Sequence, residues 1–224
     1  MDAYRKYTAE ILEGLGFLSA WPINQRVRLG DVGYLENNIF HYRTHLRDLG
    51  IAVEARKDGS AEREAQFDYA TKGAVDVSAD IDAQGADAEI RLGFLRESAV
   101  YLRLRRCFVR QLEGLDGIGA QILAWSKVGK WDRDDVVVTE VVEADDATIL
   151  VSGGYGASAT LRLGSDASAK TSISGSFALR SLGEHGLTPL FKARGVKRRL
   201  LLGTVFRGTG QEEPPEEWGE VRYP

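Results

Sequence analysis

A lone cysteine, Cys107, and only three histidines leave this chain little for disulfide, thiol or metal chemistry. One cysteine excludes an internal disulfide and fits a reducing compartment, where it serves as a small hydrophobe on a strand. His41 and His45 stand four apart, the spacing that sets two imidazoles on one helix face. No glutamate follows His41 and no third ligand stands nearby. Gly114, Gly117 and Gly119 come in the wrong order for a dinucleotide loop, and the cluster Trp131-Asp132-Arg133-Asp134-Asp135 reads as a solvated turn. There is no Gly-x-Ser-x-Gly elbow, phosphate-binding glycine loop or Cys-x-x-Cys. These absences predict a protein that is not an enzyme and carries no metal and no cofactor. No apolar run approaches the ~20 residues of a spanning helix. The opening Met1-Asp2-Ala3-Tyr4-Arg5-Lys6 lacks a secretory apolar segment, so a cytoplasmic location is expected.

A net charge of −4 argues against a dedicated nucleic-acid partner. The charge sits at one end. Residues 211–224 hold five glutamates and one arginine, and the rest of the chain is balanced at 28 basic and 28 acidic residues. Just before this tail, Arg194, Lys197, Arg198 and Arg199 form a basic cluster able to pair with it.

Against this background two stretches stand out, Ala74 to Arg105 and Ala157 to Arg180, where apolar and polar residues alternate with period two. In the first, Val75, Val77, Ala79 and Ile81 share one strand face and Asp76, Ser78, Asp80 and Asp82 the other. A turn is expected at Gln84-Gly85-Ala86-Asp87. Beyond it Ala88, Ile90, Leu92, Phe94, Val100, Leu102 and Leu104 keep the apolar parity, interrupted only by Arg96 and Ser98. In the second stretch Ala159, Leu161 and Leu163 oppose Ser158, Thr160 and Arg162, then Ile173, Phe177 and Leu179 oppose Ser172, Ser174 and Ser176. The first arm of the first stretch runs about ten residues and the second longer, against the ~9 to 11 of a tilted membrane-crossing strand. A long hairpin in a soluble antiparallel sheet with one wet face gives the same alternation.

The remaining segments supply short elements. Helices are expected over Tyr4 to Gly14 and Leu115 to Val128. Short strands are expected at Val27 to Leu29 and Gly33 to Leu35, with an Asn37-Asn38 turn after them. Leu46 to Ile51 reads as a turn or brief helix, and Ala52 to Glu64 as an exposed loop. The β-branched run Val136 to Val142 predicts a buried central strand. A turn at Asp145-Asp146 and a partner strand at Thr148 to Val151 should follow, then a flexible break at Gly153-Gly154-Tyr155-Gly156. The expected class is α+β: a twisted, mainly antiparallel sheet with a few short helices and two long amphipathic hairpin regions. One domain spans 1–207, and 208–224 is an acidic tail rich in proline and glutamate. That composition fits either a docked peptide or disorder.

In this order of features the chain resembles the bacterial gasdermins from about residue 8 to residue 200. The opening helix closing on Leu15-Gly16-Phe17, then Pro22 and Val27-Arg28-Leu29, is similar to the family's first elements. Val136-Val137-Val138-Thr139-Glu140-Val141-Val142-Glu143 is similar to its central strand, and Ile173 to Leu179 with Leu190-Phe191-Lys192 to its closing strands. The two alternating stretches fall where the family refolds into membrane strands. The resemblance implies a pore-forming cell-death effector of bacterial defence, cytoplasmic when inactive and on the inner membrane when activated. Its implied partners are further copies of itself in a ring, anionic lipids and an activating protease. The family commonly carries a lipidated cysteine near the N-terminus, and residues 2–10 contain none, which removes acylation from what is implied here.

On that reading Val75, Val77, Ala79, Ile81, Ile90, Leu92, Phe94, Leu161, Ile173 and Phe177 face lipid, and aspartate at Val77 or Leu92 should abolish leakage while leaving the monomer folded. Arg194, Lys197, Arg198 and Arg199 meet lipid headgroups. Trp218, Val221 and Tyr223 anchor an autoinhibitory tail, and Arg207-Gly208 forms a cleavable joint. A soluble α+β binding, adaptor or immunity module that uses its sheet edge or tail is the alternative.

Overall fold

The run from Val136 to Val142 becomes the centre of the molecule, buried along its whole length. The computed structural model describes residues 3–22, 25–55, 63–81, 88–163, 169–198 and 216–220. It is an α+β fold of two helices and mostly antiparallel strands. Strand β8 (Asp135–Ser152) lies between β7 (Val100–Gln111) and β11 (Phe177–Arg198), both antiparallel to it. Strand β4 (Arg63–Ala70) pairs the outer side of β7. At the other end of β8, its first residues pair β2 (Asp31–Glu36), which forms a hairpin with β3 (Ile39–His45).

The predicted turn at Asp145-Asp146 does not form, because β8 runs straight through it. Arginines of the neighbouring strand compensate both carboxylates: Arg106 lies 3.2 Å from Asp145 and Arg105 3.8 Å from Asp146. With the charge matched across strands, nothing forces the chain outward. The same level of the sheet is nevertheless irregular. Arg106 has φ +49°, the β4–β7 register shifts between Ala65 and Phe67, and the β8–β11 register shifts after Glu184, beside Gly186 at φ +64°. Bulges in the β4–β7 and β8–β11 pairings at one level increase the local twist of the sheet.

The helices cover this sheet. Helix α1 (Ala3–Leu15) presses Tyr7 and Ile11, four apart and fully buried, onto Leu102, Leu104, Val142 and Ile149. It ends where Gly16, at φ +69°, donates its N–H to the Leu12 carbonyl. Helix α2 (Leu115–Lys127) buries Ile118 and Ile122 against Val32, Leu46, Leu112 and Val137. Strand β1 (Leu18–Ser19) adds to the edge of β11.

The β2–β3 hairpin forms as its turn residues predict, with Asn37 and Asn38 at φ +52° and +63°. No strand forms at Val27 to Leu29. The histidines sit on strand β3 instead of a helix. His41 stacks on Tyr34, and His45 contacts the Leu29 carbonyl through Nε2 at 3.0 Å while Nδ1 accepts the Arg47 N–H. A β-carbon on Gly33 would fall on the His41 carbonyl oxygen. Gly33→Ala should therefore push β2 and β3 apart and cost about 1–3 kcal/mol, read as a lower urea midpoint.

Candidate functional site

The first alternating stretch does fold into a hairpin, β5 (Val75–Ile81) with β6 (Ala88–Phe94), but its second arm stops at Phe94. The expected turn at Gln84 to Asp87 lies outside the described residues. The arm is cut where Arg96 and Ser98 interrupt the apolar parity. Ser98 takes φ +63°, and the Ser152 hydroxyl donates to the Arg96 carbonyl and accepts the Ala99 N–H. The chain then enters the main sheet as β7. The second stretch behaves likewise: β9 (Ser158–Leu163) pairs β10 (Ala169–Ser174), Gly175 turns at φ +89°, and Phe177 already belongs to β11.

The two hairpins are one object. Strands β6 and β9 pair antiparallel, giving a separate four-stranded sheet in the order β5-β6-β9-β10. Its pleat sorts the faces as the sequence pattern requires. One row carries Val77, Leu92, Ala159 and Ile173 in register, the next Ala79, Ile90, Leu161 and Thr171. The alternate parity carries Ser78, Arg91, Thr160 and Ser172, then Asp80, Glu89, Arg162 and Lys170.

Coverage of the apolar face is uneven. Phe94, Leu92, Ile90, Ala159 and Leu161 are buried together with Tyr101 and Leu150 of the main sheet, and the Phe94 ring meets Phe177 edge-on at 5.2 Å. Val75, Ile173 and Phe177 are half-buried, Ala79 is exposed, and Val77 is 51% exposed. Ile81 ends β5. The face is thus covered best along β6 and β9 and least along β5.

On the wet face Glu89 accepts hydrogen bonds from Arg91 (2.8 Å) and Arg162 (3.0 Å), and these guanidiniums hold its carboxyl below the usual carboxylate range. A lowered folded-state pKa contributes stability above the unfolded value of about 4.3 and loses it as pH falls through the folded value. Glu89→Gln should make the loss of melting temperature below about pH 4 shallower, by a small amount because the group is solvated.

The joint between the sheets is gripped by α1. Glu10 accepts from the Tyr69 hydroxyl (2.9 Å) and the Thr71 hydroxyl (3.1 Å) and pairs with Arg96 at 3.7 Å. Lys6 donates to Ser98. Burial and the Glu10 carboxylate push the Tyr69 phenol up to about 12, so it stays a donor. Neither Glu10 nor β4 was found by sequence reasoning. The alternation of Phe67 and Tyr69 was the available signal for the strand. Cys107 lies in the core on β7, and burial pushes its thiol up to about 11.

A last strand, β12 (Glu216–Glu220), lies antiparallel on β11. Its register sets Glu220 opposite Arg194, Trp218 opposite Val196, Glu217 opposite Lys197 and Glu216 opposite Arg198. Arg199, Arg207, Gly208, Val221 and Tyr223 lie outside the described residues. Among those described, no helix is long and apolar enough to cross a membrane, and no three His, Cys, Asp or Glu side chains are grouped to hold a metal.

No protein-family model matches the chain, and no curated protein is similar to it. Among solved structures it is similar to the cryo-EM structure of the gasdermin A3 membrane pore, at 9% identity and a TM-score of 0.36, over 95% of this chain and 97% of that one.

Proposed function

We propose that this chain is a pore-forming protein whose four-stranded sheet swings out from the body, extends the main sheet and closes with other copies into a membrane β-barrel. One observation carries the reading. The main-sheet strands β4-β7-β8-β11 and the small-sheet strands β5-β6-β9-β10 stand in the same order, and each small strand is the chain continuation of its counterpart. Straightening the joints at Thr71, Arg96 to Ser98, Gly153 and Gly175 joins them into four long strands without exchanging a neighbour. A lone sheet leaves two edges of unpaired backbone, which hydrocarbon does not tolerate, so insertion requires ring closure by many copies.

The protein waits in the cytoplasm as a non-enzymatic effector of bacterial defence, as the sequence resemblance implies, and acts at the inner membrane. The acidic strand β12 on the edge of β11 is its restraint: it occupies backbone that a neighbouring copy needs and matches the charges of Arg194, Lys197 and Arg198. A protease cutting near Arg207-Gly208 releases it, and the basic cluster then meets anionic headgroups.

Dye release from phosphatidylglycerol vesicles tests this, comparing the full chain with one ending at Arg207. Release by the shorter chain alone is expected. Silence from both folded proteins would favour a soluble binding or immunity module. Glu10→Ala in the shorter chain should accelerate release about tenfold, since it removes charged hydrogen bonds from the joint. The initial rate of dye release measures it.

A further inference from the structure

The segment before β2, the 3-10 turn Leu46–Leu49 and strands β7, β8 and β11 line an open cavity of about 470 Å³. Four arginines line it: Arg26, Arg28, Arg47 and Arg110, with Glu143 as the carboxylate among the lining residues. Four guanidiniums against one lining carboxylate give the hollow a positive potential that favours an anion.

Three of them are held by fixed partners, of which Val53 and Glu143 belong to the lining and Asp31 does not. Asp31 lies 3.4 Å from Arg28, Arg47 donates to the Val53 carbonyl at 3.1 Å, and Glu143 pairs with Arg110 at 3.2 Å. Among the described residues Arg26 has no carboxylate partner, and it lies beside Gly186, where a β-carbon would come within 3.8 Å of its Nη2. Val27, Leu29, Val53 and Val141 supply an apolar part of the lining. His45 also lines it, with both ring nitrogens engaged by backbone.

We propose that this cavity binds a small organic phosphate, the phosphate gripped by the arginine forks and the organic part laid against the valine and leucine walls. Arginine presents paired N–H donors that match phosphate oxygens two at a time. The volume falls in the ~300–1,000 Å³ range of small-molecule sites. A phospholipid headgroup carries the same group, so the shared chemistry is the phosphate, and the test separates its sources. The site stands independently of pore formation.

The full chain is titrated calorimetrically with pyrophosphate, and separately floated with phosphatidylcholine vesicles containing or lacking phosphatidic acid. Saturable pyrophosphate binding is expected, weakened at least about tenfold in an Arg26→Gln, Arg47→Gln double variant. It should be unchanged when the same charge is removed elsewhere by Lys127→Gln with Lys130→Gln. An Arg26→Lys, Arg47→Lys pair keeps the charge and loses the fork, so an intermediate affinity is expected and guards against misfolding of the glutamine variant. Phosphatidic acid binding that depends on Arg26 and Arg47, without pyrophosphate binding, names a headgroup as the source. No binding in either assay, or equal weakening by the lysine control, overturns the proposal.

Discussion

Val77→Asp in the chain ending at Arg207 should leave the protein folded and abolish dye release. Val77 is half exposed at the poorly covered side of the small sheet, so the soluble form gives the carboxylate to water, and surface changes of that kind stay within about 0.5 kcal/mol. In a barrel the same position faces acyl chains. There a charge costs up to about 2–4 kcal/mol at mid-depth in every copy, somewhat less for aspartate, and the ring repeats it. Unchanged melting with lost leakage is the expected pair of results; unchanged leakage would remove β5 from the lipid face. Leu92→Asp cannot serve as its twin, although the alternation gives both residues one face. Leu92 is 2% exposed and packed among Phe94, Ala159 and Leu150. Removing a buried leucine costs about 2–5 kcal/mol before the charge is counted, enough to unfold a typical domain.

The second large effect concerns the basic edge. Neutralising Arg194, Lys197 and Arg198 to glutamine in the shorter chain should weaken its binding to phosphatidylglycerol vesicles about a hundredfold, at ~1 kcal/mol per charge near an anionic surface. Vesicle flotation measures it, and the deficit should shrink at high salt as screening reduces the contribution of those charges in the parent. In the full chain the register places glutamates opposite these three positions, so the substitutions there should change vesicle binding little. A shorter chain that binds equally well with and without the three charges would move the headgroup contact elsewhere.

Much of the fold was legible because short-range chemistry decides it. The Asn37-Asn38 turn, the Gly16 helix end, the buried run from Val136 and the helix at Leu115 each follow from a handful of adjacent residues. The hairpin arms were legible too, since period two is a property of the strand itself. Even the cut after Phe94 was written as the parity faults at Arg96 and Ser98. What escaped was pairing. The Asp145-Asp146 segment reads as a turn until Arg105 and Arg106 arrive from another strand, and the four-residue spacing of His41 and His45 says nothing of the strand β3 on which they lie beside β2. Strand β4 carried too short an alternation to stand out next to a charged segment.

The amino-acid sequence by itself determined which residues share a face, where the charge accumulates and which chemistries are absent, because these depend on spacing and composition alone. Tertiary structure decided that two hairpins form one sheet, that its strands repeat the order of the main sheet, and that Leu92 is buried where Val77 is exposed. Depth and strand order arise from contacts between residues far apart in the chain, and period-two alternation is the same for a covered face and an open one.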